Sequence, residues 1–204
     1  MKFPRIAMLA ATSAALTACT TVPISPVEVT RFHQPAALGQ LGRTTIFIET
    51  ADDVELGALE LAPYKEAVAR ELAALGYRES SRDQAAQIAQ VSLERFVTEA
   101  AAKESPVSVG VGGSTGSYGS GVGLGVGINL GGGKSTQLTG TQMSVRIRDA
   151  VSGDALWEGR ANFSVGTNSP LAEGPANAAT ISAALFREFP GNSGETTEVK
   201  VNPK

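Results

Sequence analysis

Met143-Ser144-Val145-Arg146-Ile147-Arg148, the turn Ser152-Gly153-Asp154, and then Trp157, Ala161, Phe163 and Val165 form the stretch that decides the fold. Met143, Val145 and Ile147 alternate with Gln142, Ser144, Arg146 and Arg148. A period of two puts every apolar side chain on one side of an extended chain. The pattern resumes beyond the turn, so the stretch predicts an antiparallel hairpin with one buried face and one wet face. Trp157 shares its face with Phe163 and Val165 and is therefore expected to anchor the core.

Upstream, Val27 to Phe32 alternates as a first strand, and Thr44 to Glu49 presents Ile46 and Ile48 as a second. Gln87 to Thr98 places Ala89, Val91, Leu93 and Val97 on one face and Gln90, Ser92 and Glu94 on the other. Phe96 breaks that phase, which predicts a bulge or a covered outer face. Between the second strand and this one lies a helical stripe. Leu61, Tyr64, Val68, Leu72 and Leu75 recur at spacings of three and four. Pro63 is expected in its first turn, and Gly76 in the left-handed position just past its end, with Tyr77 folding back onto Leu72. Downstream, Ala172 to Phe189 predicts a second helix on Ile181, Leu185 and Phe189, stopped by Pro190-Gly191. The tail 191–204 is polar and lacks a period, which predicts disorder. These elements make an α+β fold: a single small domain over 27–190, with a mainly antiparallel sheet and two helices packed on one face.

Val107 to Gly133 differs in composition. Val107, Val109 and Val111 form one alternating arm, and Val122, Leu124, Val126, Ile128 and Leu130 form another, with glycines between them. The pattern predicts an extended hairpin with an apolar face and a bare glycine face. A flexible low-complexity insertion is the competing reading, because glycine loses the most entropy on ordering.

The N-terminus carries an address. Lys2 and Arg5 precede an uncharged apolar run from Ile6 to Leu16, and Leu16-Thr17-Ala18-Cys19 closes it. That is a charged region, an apolar region and a small-residue cleavage site, too short for the roughly 20 apolar residues of a membrane span. Cys19 is the sole cysteine. The arrangement resembles the bacterial lipoprotein signal, which implies a signal peptide over 1–18 and an acylated Cys19. Residues 19–26, with two prolines, are then a lipidated tether. In the resembled lipoproteins an Asp after the cysteine favours the inner membrane. Thr20 stands there, which implies the periplasmic face of the outer membrane of a Gram-negative bacterium.

Composition narrows the function. The chain has 204 residues and a net charge of −3, and loss of Lys2 and Arg5 with the signal leaves the domain more acidic. With no basic cluster, nucleic acid is not an expected partner. Gly131-Gly132-Gly133-Lys134-Ser135 suggests a phosphate loop, but Ile128 stands where the motif needs glycine, and no helix follows. His33 is the only histidine, so neither a metal cluster nor a serine triad is expected, and no cofactor. Asp52, Asp53 and Glu55 form an acidic cluster between strand and helix. Paired carboxylates could in principle cleave glycosides, but no aromatic-lined cleft accompanies them.

The chain also resembles the bacterial lipoproteins of the "domain of unknown function 4136" family. The resemblance rests on the signal above, Leu72-Ala73-Ala74-Leu75-Gly76-Tyr77, and Val145-Arg146-Ile147-Arg148-Asp149-Ala150 through Leu156-Trp157-Glu158-Gly159-Arg160-Ala161. It closes on Leu185-Phe186-Arg187-Glu188-Phe189-Pro190. It implies a small α+β domain with an antiparallel sheet, two helices on one face and no transferable catalytic residue. The expectation is a non-enzymatic envelope lipoprotein, structural or binding. It would meet membrane lipid through Cys19 and an envelope protein through its domain. An accessory factor for an envelope machine and a lipid-anchored hydrolase are the alternatives.

Overall fold

The computed structural model describes residues 22–52, 57–100, 108–111, 124–127 and 136–201. The signal peptide, Cys19 and most of the glycine-rich segment lie outside them. Nine strands and two α-helices follow one another along the described chain. They are β1 (Val27–His33), β2 (Thr45–Thr50), α1 (Ala58–Ala74), β3 (Arg78–Glu79), β4 (Gln87–Ala100), β5 (Ser108–Val111), β6 (Leu124–Gly127), β7 (Thr136–Asp149), β8 (Ala155–Gly166), α2 (Gly174–Phe186) and β9 (Thr196–Val199). Seven of the strands form one mixed sheet in the order β3-β2-β4-β7-β8-β1-β9. The fold is α+β.

The deciding hairpin stands as expected, with Met143 opposite Ala161 and Val145 opposite Gly159. Its register slips between Ile147 and Arg148, which leaves Leu156 as an extra residue near the turn. Asp149 Oδ1 closes that turn by accepting from the N–H groups of Val151 and Ser152.

One face of the sheet carries Val27, Val29, Ile46, Ile48, Ala89, Val91, Leu93, Met143, Val145, Ile147, Trp157 and Phe163. Both helices cover it, α1 with Leu61, Tyr64, Val68 and Leu72, and α2 with Ala178, Ile181 and Leu185. Asn177 of α2 is a polar member of this layer. Its amide donates to Thr141 Oγ1 and to the Leu171 carbonyl, and its carbonyl accepts from Tyr64 Oη, tying both helices to β7. Past the end of α1, Gly76 sits at φ +96°. Gly76 N–H donates to Ala73 and Tyr77 N–H to Leu72, so the predicted glycine stop is present with both of its bonds.

The sheet is mainly antiparallel, as expected; β2 alone runs parallel to its neighbours β3 and β4, because the connection from β2 to β4 is the α1 crossover, and a parallel pair needs such a crossover. Four expectations need correction. Helix α1 starts at Ala58, which moves Pro63 from the first turn into the helix interior. Helix α2 is shorter than Ala172–Phe189; Phe189 lies beyond it and packs on Trp157 with ring centroids 5.1 Å apart. No bulge occurs at Phe96, since the β4–β7 register runs unbroken from Gln87 to Ala100. The Phe96 ring instead covers Gly140 opposite, where a Cβ would sit 2.3 Å from it.

The fourth correction is to the tail 191–204, read as disordered. Residues 196–199 form β9, paired antiparallel with β1 from Val27↔Val199 to Thr30↔Thr196. A polar segment can hold an edge position because the ladder bonds are made by backbone, whatever the side chains. Residues 22–26 of the expected tether also touch the domain. Ile24 bridges Val165, and Ser25 N–H donates to the Ser164 carbonyl. In the glycine-rich segment, β5 and β6 pair antiparallel as a two-stranded sheet, Val109 opposite Val126.

Candidate functional site

The face of the sheet opposite the helices carries the most densely organised exposed chemistry among the described residues. Alternation along each strand builds it, and strand register aligns it into rows. One row runs Glu49, Gln90, Arg146, Glu158, Phe32 across β2, β4, β7, β8 and β1. The next runs Ser92, Ser144, Arg160, Thr30, Thr196, and a third runs Glu94, Gln142, Asn162, Glu28, Glu198. Arg148 lies beside the first row and Arg82 reaches it from the loop after β3. One end of this face is therefore arginine-rich and the other carries three carboxylates.

The arginines are held in position. Glu49 binds Arg82, lies 3.4 Å from Arg148 Nη2, and accepts from Gln90 Nε2 at 3.1 Å. Glu158 bridges Arg146 at 3.1 Å and Arg160 at 2.7 Å. Burial alone would raise the Glu158 carboxyl, but the two guanidiniums outweigh it and hold the group below the usual carboxylate range. The Arg160 guanidinium also sits 5.8 Å from the centroid of the exposed Phe32 ring, within cation–π range. The pairs made by Arg82, Arg146 and Arg160, whose side chains are more than half exposed, add little to stability, whereas Arg148 and Glu49 are both part-buried. Together they gather four guanidiniums around two carboxylates on this face.

Among the described residues, His33 and Asp52 are the ones singled out from sequence, and they do not come together in a site. Cys19, Asp53, Glu55 and Gly131–Ser135 lie outside the described residues, and Asp52 sits in the turn after β2. His33 ends β1, where its Nε2 lies 3.0 Å from the Gly191 carbonyl and its backbone exchanges bonds with the Ser193 hydroxyl. It fastens the segment leading into β9. No group of three His, Cys, Asp or Glu side chains is placed to hold a metal among the described residues. A shallow depression of about 580 Å³ lies between residues 34–40 and the β7–β8 turn. Its lining includes Gln34, Gln40, Asp149 and Asp154, and Asp149 is already engaged by the turn.

Sequence reading found the wet face through its alternation and missed its organisation. Which arginine meets which glutamate depends on register between strands far apart in the chain. No signal short of the register could have paired Arg148 with Glu49.

No family model matches the chain, and no curated protein matches it. Among solved structures, it is similar to a variant of the PelC dodecamer from Paraburkholderia phytofirmans at 14% identity and a TM-score of 0.43, over 78% of this chain and 94% of that one. A PDZ domain protein from Parabacteroides distasonis gives 12% identity and a TM-score of 0.46, over 86% of this chain and 39% of that one. A putative neuraminyllactose-binding hemagglutinin homolog from Helicobacter pylori gives 9% and 0.38, over 72% and 83%.

Proposed function

We propose that this chain is an envelope lipoprotein, anchored through acylated Cys19, whose domain is a non-catalytic structural or binding module. The observation that carries the reading is Leu16-Thr17-Ala18-Cys19 after a short charged-then-apolar segment, with Cys19 the sole cysteine. An acylated cysteine leaves no lone thiol exposed to an oxidising compartment, and two or more acyl chains hold a protein stably on a bilayer. Thr20 favours the outer membrane in this reading, and the resemblance to the "domain of unknown function 4136" lipoproteins belongs to the same proposal. The helix-free face, with its glutamate-paired arginines, is the part of the domain suited to meeting an envelope protein. An accessory role in an envelope machine is the same reading with the partner specified.

The test is the mass of the mature N-terminus from a diderm host, together with fractionation of Cys19→Ala. The expected result is a chain starting at Cys19 with an added acyl mass. Cys19→Ala should accumulate uncleaved or leave the membrane fraction. A variant correctly processed and still retained by the membrane would overturn the anchor.

A further inference from the structure

Strand β4 outlasts its neighbour on one side. β2 ends at Thr50, opposite Val91, and the last bond across that seam runs from Ala51 N–H to the Val91 carbonyl. β4 continues to Ala100, held on its other side by β7. The Val91 carbonyl points away from β7. By the alternation of a strand, the N–H and C=O groups of Leu93, Arg95, Val97 and Glu99 do so too. Among the described residues no strand pairs with them. The two outer edges of the sheet are short by comparison, two residues in β3 and four in β9. Proteins blunt long edges with charged side chains, lysine above all, with proline or with bulges. From Leu93 to Glu99 there is no lysine, proline or bulge; the charges are Glu94, Arg95 and Glu99, and Phe96 and Val97 are 47% and 64% exposed.

We propose that this edge pairs antiparallel with the same edge of a second copy of the chain, about a two-fold axis through Val97. An isologous contact needs a self-complementary surface, and this register supplies one. Val97 faces Val97, Phe96 faces Thr98 of the second copy, and Arg95 faces Glu99 of the second copy. Arg95 already donates to Glu60 and Glu173, yet its Nε is buried with no acceptor among the described residues. Opposite charges directly across a ladder stabilise it. Centring the pair on Phe96 would instead set each Glu99 against Leu93, which is 3% exposed and part of the hydrophobic core. That would press a carboxylate against the core, so the Val97 register is the one selected.

The experiment takes the full chain in detergent at micromolar concentration and measures its protein mass by sedimentation, beside Val97→Pro. The Val97 N–H points away from β7, so proline removes no bond within the monomer. The expected result is a dimer for the parent and a monomer for Val97→Pro with the same circular dichroism. Register is tested with Phe96→Cys and Thr98→Cys. These positions are directly opposite in the proposed pair, about 4.5 Å between Cα atoms, whereas either variant with itself is diagonal, at roughly 7–8 Å. Mixing the two should give an oxidised heterodimer, with little crosslinking of either alone. A monomeric parent, a dimer that survives Val97→Pro, or single variants that crosslink as well as the mixture would each overturn the proposal.

Discussion

Trp157 shows what one residue organises. Its ring is 1% exposed, its Nε1 donates to the Pro190 carbonyl at 3.0 Å, and Phe186 stacks on it with centroids 5.5 Å apart. Gly159 is glycine because a Cβ there would lie 2.3 Å from the Trp157 ring. Trp157→Ala is expected to cost about 3–5 kcal/mol. At roughly 2–4 °C per kcal/mol for a chain of this length, the melting temperature should fall by about 10 °C. A thermal melt within two degrees or so of the parent would disprove the anchor role. The burial of Trp157 was legible in its alternation with Phe163 and Val165. Its partners were not, because Phe189 and Pro190 arrive only after α2 has turned the chain back. Asn177 was legible even less: polar on a helix, it reads as a surface residue, yet it is buried and fully bonded.

Among the elements, the end of α2 has the least conventional support. Its last carbonyls need donors, and they receive them from Arg31, a buried arginine on the inner face of β1. Arg31 Nε donates to Leu185 at 3.0 Å, and its Nη2 reaches the Ala184 and Arg187 carbonyls. Burial lowers the guanidinium from its usual range, and the charge of Glu188 acts against that. A cation at a helix C-terminus also meets the negative end of the dipole. Arg31→Met should destabilise by about 1–3 kcal/mol through the orphaned carbonyls, measured by urea unfolding. Arg31→Lys should recover only part of that, since an ammonium lacks the planar fork. Full stability in Arg31→Met would show that water or the backbone caps the helix instead. α1 was readable because its stop signal is local, a glycine one residue past the stripe. The Arg31 cap joins residues from opposite ends of the chain and leaves no local trace.

For the whole molecule, the hydroxyls buried between helices and sheet set an alkaline limit. Burial pushes Tyr64 up to about 12, and its neighbours alter this less; the Arg95 charge lowers it while Glu60 and Glu173 raise it. Burial raises Tyr77 too, and its hydroxyl lies buried without a hydrogen-bond partner among the described residues. A tyrosine raised in the folded state keeps its proton where the unfolded chain has lost its own. Its contribution is therefore complete below pH 10 and is lost as pH rises from 10 through about 12. Denaturant midpoints measured across that window should fall steeply. Tyr64→Phe should flatten the fall without abolishing it, because Tyr77 titrates with the same sign. An unchanged slope in Tyr64→Phe would remove Tyr64 from the account.

What the sequence determined by itself was whatever repeats within a few residues. Period two predicted β1, β2, β4, β7 and β8, the stripe from Leu61 to Leu75 predicted α1, and together they predicted one sheet covered by two helices. Each rests on side chains aligning along a single element. Tertiary structure decided what depends on one element meeting another. It set β2 parallel to β4, turned a polar tail into β9, laid Phe96 over Gly140, and ordered the arginines and glutamates of the wet face into rows. Backbone ladders and cross-strand rows form between residues distant in the chain, and nothing in a local pattern encodes the register that joins them.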